Sequence, residues 1–222
     1  MPLLNNPLTL GVSRAVFRLT SRIHYHRPDL APWQRGAALL CCNHMSHYDP
    51  VCISVLLGRR VDWMARIEFA SRPLSAWMLA ASGAVLIDRY GAALPGIRAG
   101  LRRLAQGHRL GIYPEGELTH GQASVLVAGR VKQGVALLSI HSRVPVVPCV
   151  ILGSKQFGSF VRWLPVRSGE LWIGFGPTLA PEPEWKRGRE ARGIFIRRIE
   201  QAMRTLYEEM LDRYDIPADR RP

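Results

Sequence analysis

A single α/β domain, a β-sheet with helices on its faces, is the fold class that this sequence predicts. Three observations carry it. Short apolar runs of strand length alternate with segments of helical length from about residue 37 onward. At 222 residues, 47% of them hydrophobic, the chain holds enough apolar material for one sizeable core. The two segments richest in chemistry, around His44 and around Glu115, each follow a strand candidate directly, so the sheet would gather them at one edge.

Taken in order, Ala37–Cys42 is an apolar run of strand length. A loop follows. Pro50 then suits the first position of a helix over Pro50–Leu57, with Asp49 ahead of it as N-cap. Val61–Ala65 is the next strand and Pro73–Ala81 the next helix. Ser82-Gly83 interrupts the apolar stretch from Ala76 to Ile87, which reads as a helix end, a turn and the buried strand Ala84–Asp88. Pro95–Gln106 is helical, Leu110–Tyr113 a strand, Lys132–His141 a helix, and Val146–Leu152 and Leu171–Phe175 are strands. Ile196, Ile199, Met203, Leu206 and Met210 recur at three and four, the mark of a helix that packs one face on a core. After Tyr214 the chain turns Pro- and charge-rich, so residues 215–222 are expected to form a frayed tail.

Residues 1–30 form a segment of their own ahead of the main domain over 31–214. Val12, Ala15, Val16, Leu19 and Ile23 recur at helical spacing, and Arg14, Arg18 and Arg22 form a basic stripe. Such a helix either lies in a membrane interface or packs its apolar side on the core. The chain carries 30 basic and 17 acidic residues, a net charge of +13, which favours an anionic membrane face or a phosphorylated substrate. Nucleic acid is set aside, because no zinc-finger spacing, RRM or helix-turn-helix signature is present. No stretch reaches the roughly 18 apolar residues of a spanning helix, and no signal peptide is evident. A cytoplasmic protein peripheral to the inner (cell) membrane is expected.

The chemistry centres on His44-Met45-Ser46-His47-Tyr48-Asp49 and Tyr113-Pro114-Glu115-Gly116. An imidazole takes a proton near neutral pH, and a neighbouring carboxylate fixes its tautomer and steadies the imidazolium. On an unbroken helix, residues five apart lie about 140° apart around the axis, which would separate His44 from Asp49. Pro50 breaks the helix at that point, so a strand, a loop and a helix N-terminus can bring the two together. His47 is a further candidate base, without a carboxylate at comparable spacing. No serine stands in a Gly-x-Ser-x-Gly elbow, so the attacking hydroxyl must come from the substrate. Adjacent Cys41 and Cys42 point to opposite faces of a strand and make poor joint ligands, so no metal is expected. Four unspaced cysteines do not suggest a disulfide framework either.

At these residues the chain resembles the glycerolipid acyltransferases. Asn43-His44 with Asp49 is similar to the family's first motif, and Gly83-Ala84-Val85-Leu86-Ile87-Asp88-Arg89 to its second. Between them, Arg66-Ile67-Glu68-Phe69 is similar to a Lys-x-Glu-Leu element. Tyr113-Pro114-Glu115-Gly116 resembles the third motif, usually Phe-Pro-Glu-Gly, and Val144-Pro145-Val146-Val147-Pro148 the fourth. All stand in the family's order across residues 37 to 153.

The resemblance implies a mixed β-sheet flanked by helices, of the glycerol-3-phosphate acyltransferase-like fold. It implies that His44, oriented by Asp49, acts as general base on a lysophospholipid hydroxyl, most simply that of lysophosphatidate. The acyl group would come from acyl-CoA or acyl-carrier protein as co-substrate, with no further cofactor. Arg66 and Arg89 would hold the acceptor's phosphate, where guanidinium geometry permits paired hydrogen bonds. Glu115 and the Gly116 turn would shape the acceptor pocket, with Lys132 adding charge. The third motif commonly continues Thr-Arg-Ser, whereas here it continues Glu117-Leu118-Thr119, which leaves the acceptor head group open. Two other readings use the same residues: hydrolysis by water activated at the His44–Asp49 dyad, and a lipid-binding protein without turnover.

Overall fold

Long uninterrupted apolar runs belong to strands buried on both faces, and two of them build the centre of this molecule. The computed structural model describes residues 11–12, 14–15, 19, 21–27, 29, 36–157, 169–185 and 188–222. Seven strands form one sheet: β1 (Ser21–His26), β2 (Ala38–Cys42), β3 (Asp62–Arg66), β4 (Val85–Ile87), β5 (Arg109–Ile112), β6 (Val146–Leu152) and β7 (Gly169–Phe175). Their order is β1-β7-β6-β2-β5-β3-β4. β6 and β7 run antiparallel and every other neighbouring pair is parallel, so the sheet is mixed. All five residues of β2 and all seven of β6 are buried.

Alternate residues of these strands enter two separate apolar layers. Leu39, Cys41, Val146 and Val150 face the layer that includes Leu104, Leu138, Phe195 and Met203. Three helices bring those side chains: Ala93–Ala105, Gly134–Ser142 and the long Arg189–Arg213. Leu40, Cys42, Val147 and Ile151 face the other layer, filled by Cys52, Ile53 and Leu56 of the Asp49–Leu57 helix. The adjacent cysteines thus fall on opposite sides of the sheet. Gly83, at φ 70°, ends the Pro73–Ser82 helix, and the amides of Gly83 and Ala84 return to the carbonyls of Ala80 and Leu79. This left-handed stop is the interruption expected at Ser82-Gly83.

Three expectations are corrected. Arg22 and Ile23 do not continue a helix: residues 21–26 are β1, paired in register with Gly169–Gly174 of β7. The local reason is the alternation Ile23/Tyr25 against His24/His26. Ile23 and Tyr25 pack on one apolar layer, while His24 and His26 turn to Tyr214. Residues 11, 12, 14, 15 and 19 are helical, with Val12 and Leu19 exposed, whereas Val16 and Arg18 lie outside the described residues. Asp49 is the first residue of its helix and not its cap, which is Tyr48, because its carboxylate turns back to the preceding loop.

The third correction is the C-terminal tail. Residues 215–222 are docked: Ile216 is fully buried, the Gly153 amide donates to Arg220 O at 3.0 Å, and Arg221 donates to Ile216 O. The Tyr214 hydroxyl also donates to Tyr25 O at 2.9 Å, which ties the end of the long helix to β1. Among the described residues, no helix is long and apolar enough to cross a membrane.

A buried aliphatic side chain shortened to alanine typically costs about 2–5 kcal/mol. Ile216→Ala should therefore lower the free energy of unfolding by that amount and move the urea midpoint down in proportion. A midpoint equal to wild type would return the tail to the frayed state.

Candidate active site

The site begins where β2 ends. Asn43, fully buried, donates its side-chain Nδ2 to Ile151 O at 2.9 Å and accepts the Ile151 amide on Oδ1 at 2.8 Å. The side chain thereby continues the pairing with β6 while the backbone leaves the sheet. In the loop that follows, the Asp49 amide donates to Ser46 O at 3.0 Å, which closes a turn. Asp49 itself is fully buried. Its Oδ2 accepts the Met45 amide at 2.8 Å, the Ser46 amide at 2.9 Å and His44 Nδ1 at 2.9 Å. A carboxylate only accepts, so Nδ1 carries the proton, and Nε2 is left as the basic nitrogen.

The second motif loop locks onto the first through Glu115. Its Oε2 accepts the His44 amide at 2.7 Å, and its Oε1 accepts the Thr119 hydroxyl at 2.5 Å and the Val125 amide at 2.8 Å. The Thr119 amide donates in turn to His44 O at 3.1 Å. Burial pushes the Glu115 carboxyl above its usual value, and the Thr119, Val125 and His44 donors oppose that shift. Both oxygens are engaged with protein donors, so Glu115 acts on the site by bracing it.

The imidazole is held flat. The His44 ring stacks on Tyr113 with centroids 3.8 Å apart and planes 15° apart, and Tyr113 stacks on Trp63 at 4.8 Å and 12°. Gly111 makes room for this column, since a Cβ there would run into the Trp63 ring. His47 meets His44 edge-on at 6.3 Å. Burial, then the nearby His44, hold the His47 pKa below its ordinary value, with Asp49 opposing. Among the described residues, no carboxylate is hydrogen-bonded to His47, so the geometry favours His44 as the base.

The cations gather beside the dyad. Arg89 donates from Nη1 to Gly116 O, and Gly116, at φ 73°, leaves space that a side chain would take from that guanidinium. The Gly116 amide closes the turn on Tyr113 O at 3.0 Å, and the Lys132 amide donates to Pro114 O at 3.1 Å. Partial burial lowers the Lys132 pKa, and repulsion from Arg89 and Arg66 adds to it, while Glu117 and Glu115 oppose. Lys132, Arg66 and Arg89 therefore share one neighbourhood. The Arg66 guanidinium lies over the Phe69 ring at 5.1 Å. Every site residue expected from the sequence is thus in this region: His44, Asp49, Arg66, Arg89, Glu115, Gly116 and Lys132. The contacts of Asn43 with Ile151, of Trp63 with Tyr113 and of the Thr119 amide with His44 O join segments far apart in sequence, and no residue pattern signals them.

The Tyr113 hydroxyl is buried and has no hydrogen-bond partner among the described residues, and burial drives its pKa well up. An unsatisfied buried hydroxyl costs about 1–3 kcal/mol. Tyr113→Phe should therefore keep the stack, fold at least as stably as wild type and retain turnover. Tyr113→Ala should lose about 3–5 kcal/mol of stability and most turnover. Denaturant melts with paired kinetics check this, and inactive but well-folded Tyr113→Phe would assign the hydroxyl a chemical role instead.

Comparison with known proteins follows the same residues. The acyltransferase family profile matches residues 22–152, more than half of the chain and all of the site. A 1-acyl-sn-glycerol-3-phosphate acyltransferase of Helicobacter pylori (strain J99) is 27% identical over 133 residues, 59% of this chain and 55% of that protein. The chain thus spans about half the length of this curated relative. The crystal structure of the 1-acyl-sn-glycerophosphate (LPA) acyltransferase PlsC from Thermotoga maritima matches with a TM-score of 0.66 at 19% identity. That match covers 93% of this chain and 81% of the other, and it shows the same fold. With the profile running from β1 through the end of β6, across both motif loops, this chain belongs to the acyltransferase family.

Proposed function

We propose that this protein is an O-acyltransferase that moves a fatty acyl group from a thioester donor, acyl-CoA or acyl-carrier protein, to the free hydroxyl of a lysophospholipid. Lysophosphatidate is the favoured acceptor and phosphatidate its product. One observation carries the reading: an imidazole only 13% exposed, bonded through Nδ1 to a fully buried carboxylate, in the neighbourhood of Arg66, Arg89 and Lys132. His44 Nε2 takes the proton of the acceptor hydroxyl as its oxygen attacks the thioester carbon. The C–S bond breaks, and the imidazolium returns the proton to the leaving thiolate. Ester and thiol are the products, and the thioester itself supplies the driving force.

The cations Arg66, Arg89 and Lys132 hold the acceptor phosphate. Asp49 steadies the imidazolium, Glu115 holds the backbone of His44, and the Gly116 turn keeps Arg89 in place. A lipid product and a water-soluble donor meet at the cytoplasmic face of the cell membrane. We infer that the protein works there as a peripheral protein, its net charge of +13 suited to anionic headgroups.

General acid–base groups contribute about 10²–10⁴-fold to rate. His44→Ala and Asp49→Asn should fold and lose turnover in that range with labelled acyl-CoA and a lysolipid panel, while His47→Ala loses less. Diacyl lipid is the expected product; free fatty acid would replace transfer by hydrolysis, and binding without product would leave a lipid-binding protein. The reverse ranking of the histidines would move the base to His47.

Acceptor choice gives a separate test. Charge-assisted hydrogen bonds are worth about 1.5–3 kcal/mol. Arg89→Ala should weaken acceptor use about ten- to a hundredfold and leave the apparent affinity for the donor near wild type. Leu118→Arg should shift preference toward lysophosphatidate over lysolipids with larger head groups, because a phosphate monoester carries more charge than a diester. An unchanged preference in paired-acceptor kinetics would remove Leu118 from the account of specificity.

A further inference from the structure

A helix apolar on every side belongs in a core. The Pro73–Ser82 helix, Pro-Leu-Ser-Ala-Trp-Met-Leu-Ala-Ala-Ser, carries no charged residue, yet none of its side chains with described burial is buried. The 3₁₀ turn Ile67–Ser71 that leads into it has no buried residue either. Three large apolar side chains stand in solvent there: Ile67 at 46% exposure, Phe69 at 42% and Trp77 at 58%. They stand on two consecutive elements that pack on each other, and exposed apolar side chains grouped this way mark an interaction site.

This surface runs into the active site. The Phe69 ring meets His47 edge-on at 5.7 Å, and His47 meets the catalytic imidazole of His44 at 6.3 Å. Its charged rim is mainly basic, with Arg66 against Phe69 and exposed Arg72 at the head of the helix, against the single carboxylate of Glu68. At ten residues the helix is about 15 Å long, half the hydrocarbon thickness of a bilayer, so it suits lying in the interface and not crossing it.

We propose that the Ile67–Ser82 segment is the surface on which this protein sits on an anionic lipid bilayer, with Trp77 and Phe69 as interfacial anchors. The inference rests on the acyltransferase reading, under which the acceptor is an amphiphile resident in a bilayer. The partner follows from chemistry: an apolar face, aromatic residues at its edge, and guanidinium groups beside it match acyl chains below and phosphates above. Docked this way, the segment places the dyad at headgroup depth. An acceptor then reaches His44 by sliding along the Phe69 edge, without leaving the membrane.

Vesicle co-flotation of the full chain with phosphatidylglycerol-containing vesicles, with pure phosphatidylcholine as control, tests it. Removing one buried large apolar anchor should weaken partition about tenfold or more. Trp77→Glu should show that loss, and wild type should favour the anionic vesicles. Hydrogen exchange should show residues 67–82 protected when vesicles are added. Trp77→Glu should keep its rate on a short-chain lysolipid dissolved as monomer and lose rate on the same acceptor embedded in vesicles. Partition of Trp77→Glu equal to wild type, or protection confined to residues 11–19, would overturn the assignment. So would a wild-type dimer that Trp77→Glu converts to monomer, since the face would then cover a second copy. The binding and exchange readouts need no turnover, so an inactive protein that still docks through residues 67–82 would overturn the acyltransferase reading alone.

Discussion

The site depends on one carboxylate whose two oxygens are both taken by protein donors. Glu115 sits 71 residues beyond His44 in the chain, and its two oxygens join the loop after β2 to the loop after β5. Burial raises the energy of its ionised form, and backbone and hydroxyl donors offset that cost. The result is a His44 backbone fixed from one side while its ring is fixed from two others, by Asp49 and by Tyr113. An imidazole so constrained keeps one tautomer and one plane, which suits the general-base role proposed for it. The Gly116 turn follows from the same clamp. It closes at the residue after Glu115, where the Gly116 carbonyl accepts from Arg89, so the orientation of a cation is tied to the position of His44.

A second histidine–carboxylate pair shows that such a dyad does not make a site by itself. His108 Nδ1 donates to Asp62 Oδ2 at 2.8 Å, and Asp62 is as fully buried as Asp49. Here the carboxylate is also met by Arg60 at 2.7 Å and Arg103 at 3.6 Å. Asp62 opens β3 and His108 precedes β5, so this pair lies at the strand beginnings, opposite the ends from which the motif loops depart. Open parallel sheets place their chemistry beyond the carboxyl ends of strands, where loops converge on a crevice. Position in the sheet sets the His44–Asp49 pair, proposed for catalysis, apart from the His108–Asp62 pair.

Six of the seven strands among the described residues were readable from short apolar runs, to within a residue or two at either end, most clearly β2 and β6, where burial on both faces writes hydrophobicity into consecutive residues. β1 was not. Its Ile23/Tyr25 and His24/His26 alternation is brief and follows a helical pattern, and its partner β7 lies some 150 residues away. The antiparallel β6–β7 pairing was equally hidden, since direction is set by where the chain returns and not by composition. In the tail, Pro and charge masked a single aliphatic anchor, Ile216. At the site, residue types and their order pointed to His44, Asp49 and the cations. The brace of Glu115 and the stack of Tyr113 on Trp63 were not readable, because both arise only when distant loops meet.

The Asn43 amide has a wider meaning than a single pair of hydrogen bonds. With both ends of that amide taken by Ile151, one side chain performs the work of a strand's main chain for one further step. The backbone is released one residue early without leaving β6 a bare edge. Loop geometry and sheet geometry are therefore set by different atoms of the same residue. The loop can hold a shape suited to proton transfer while the sheet keeps its regular ladder, and neither has to yield to the other.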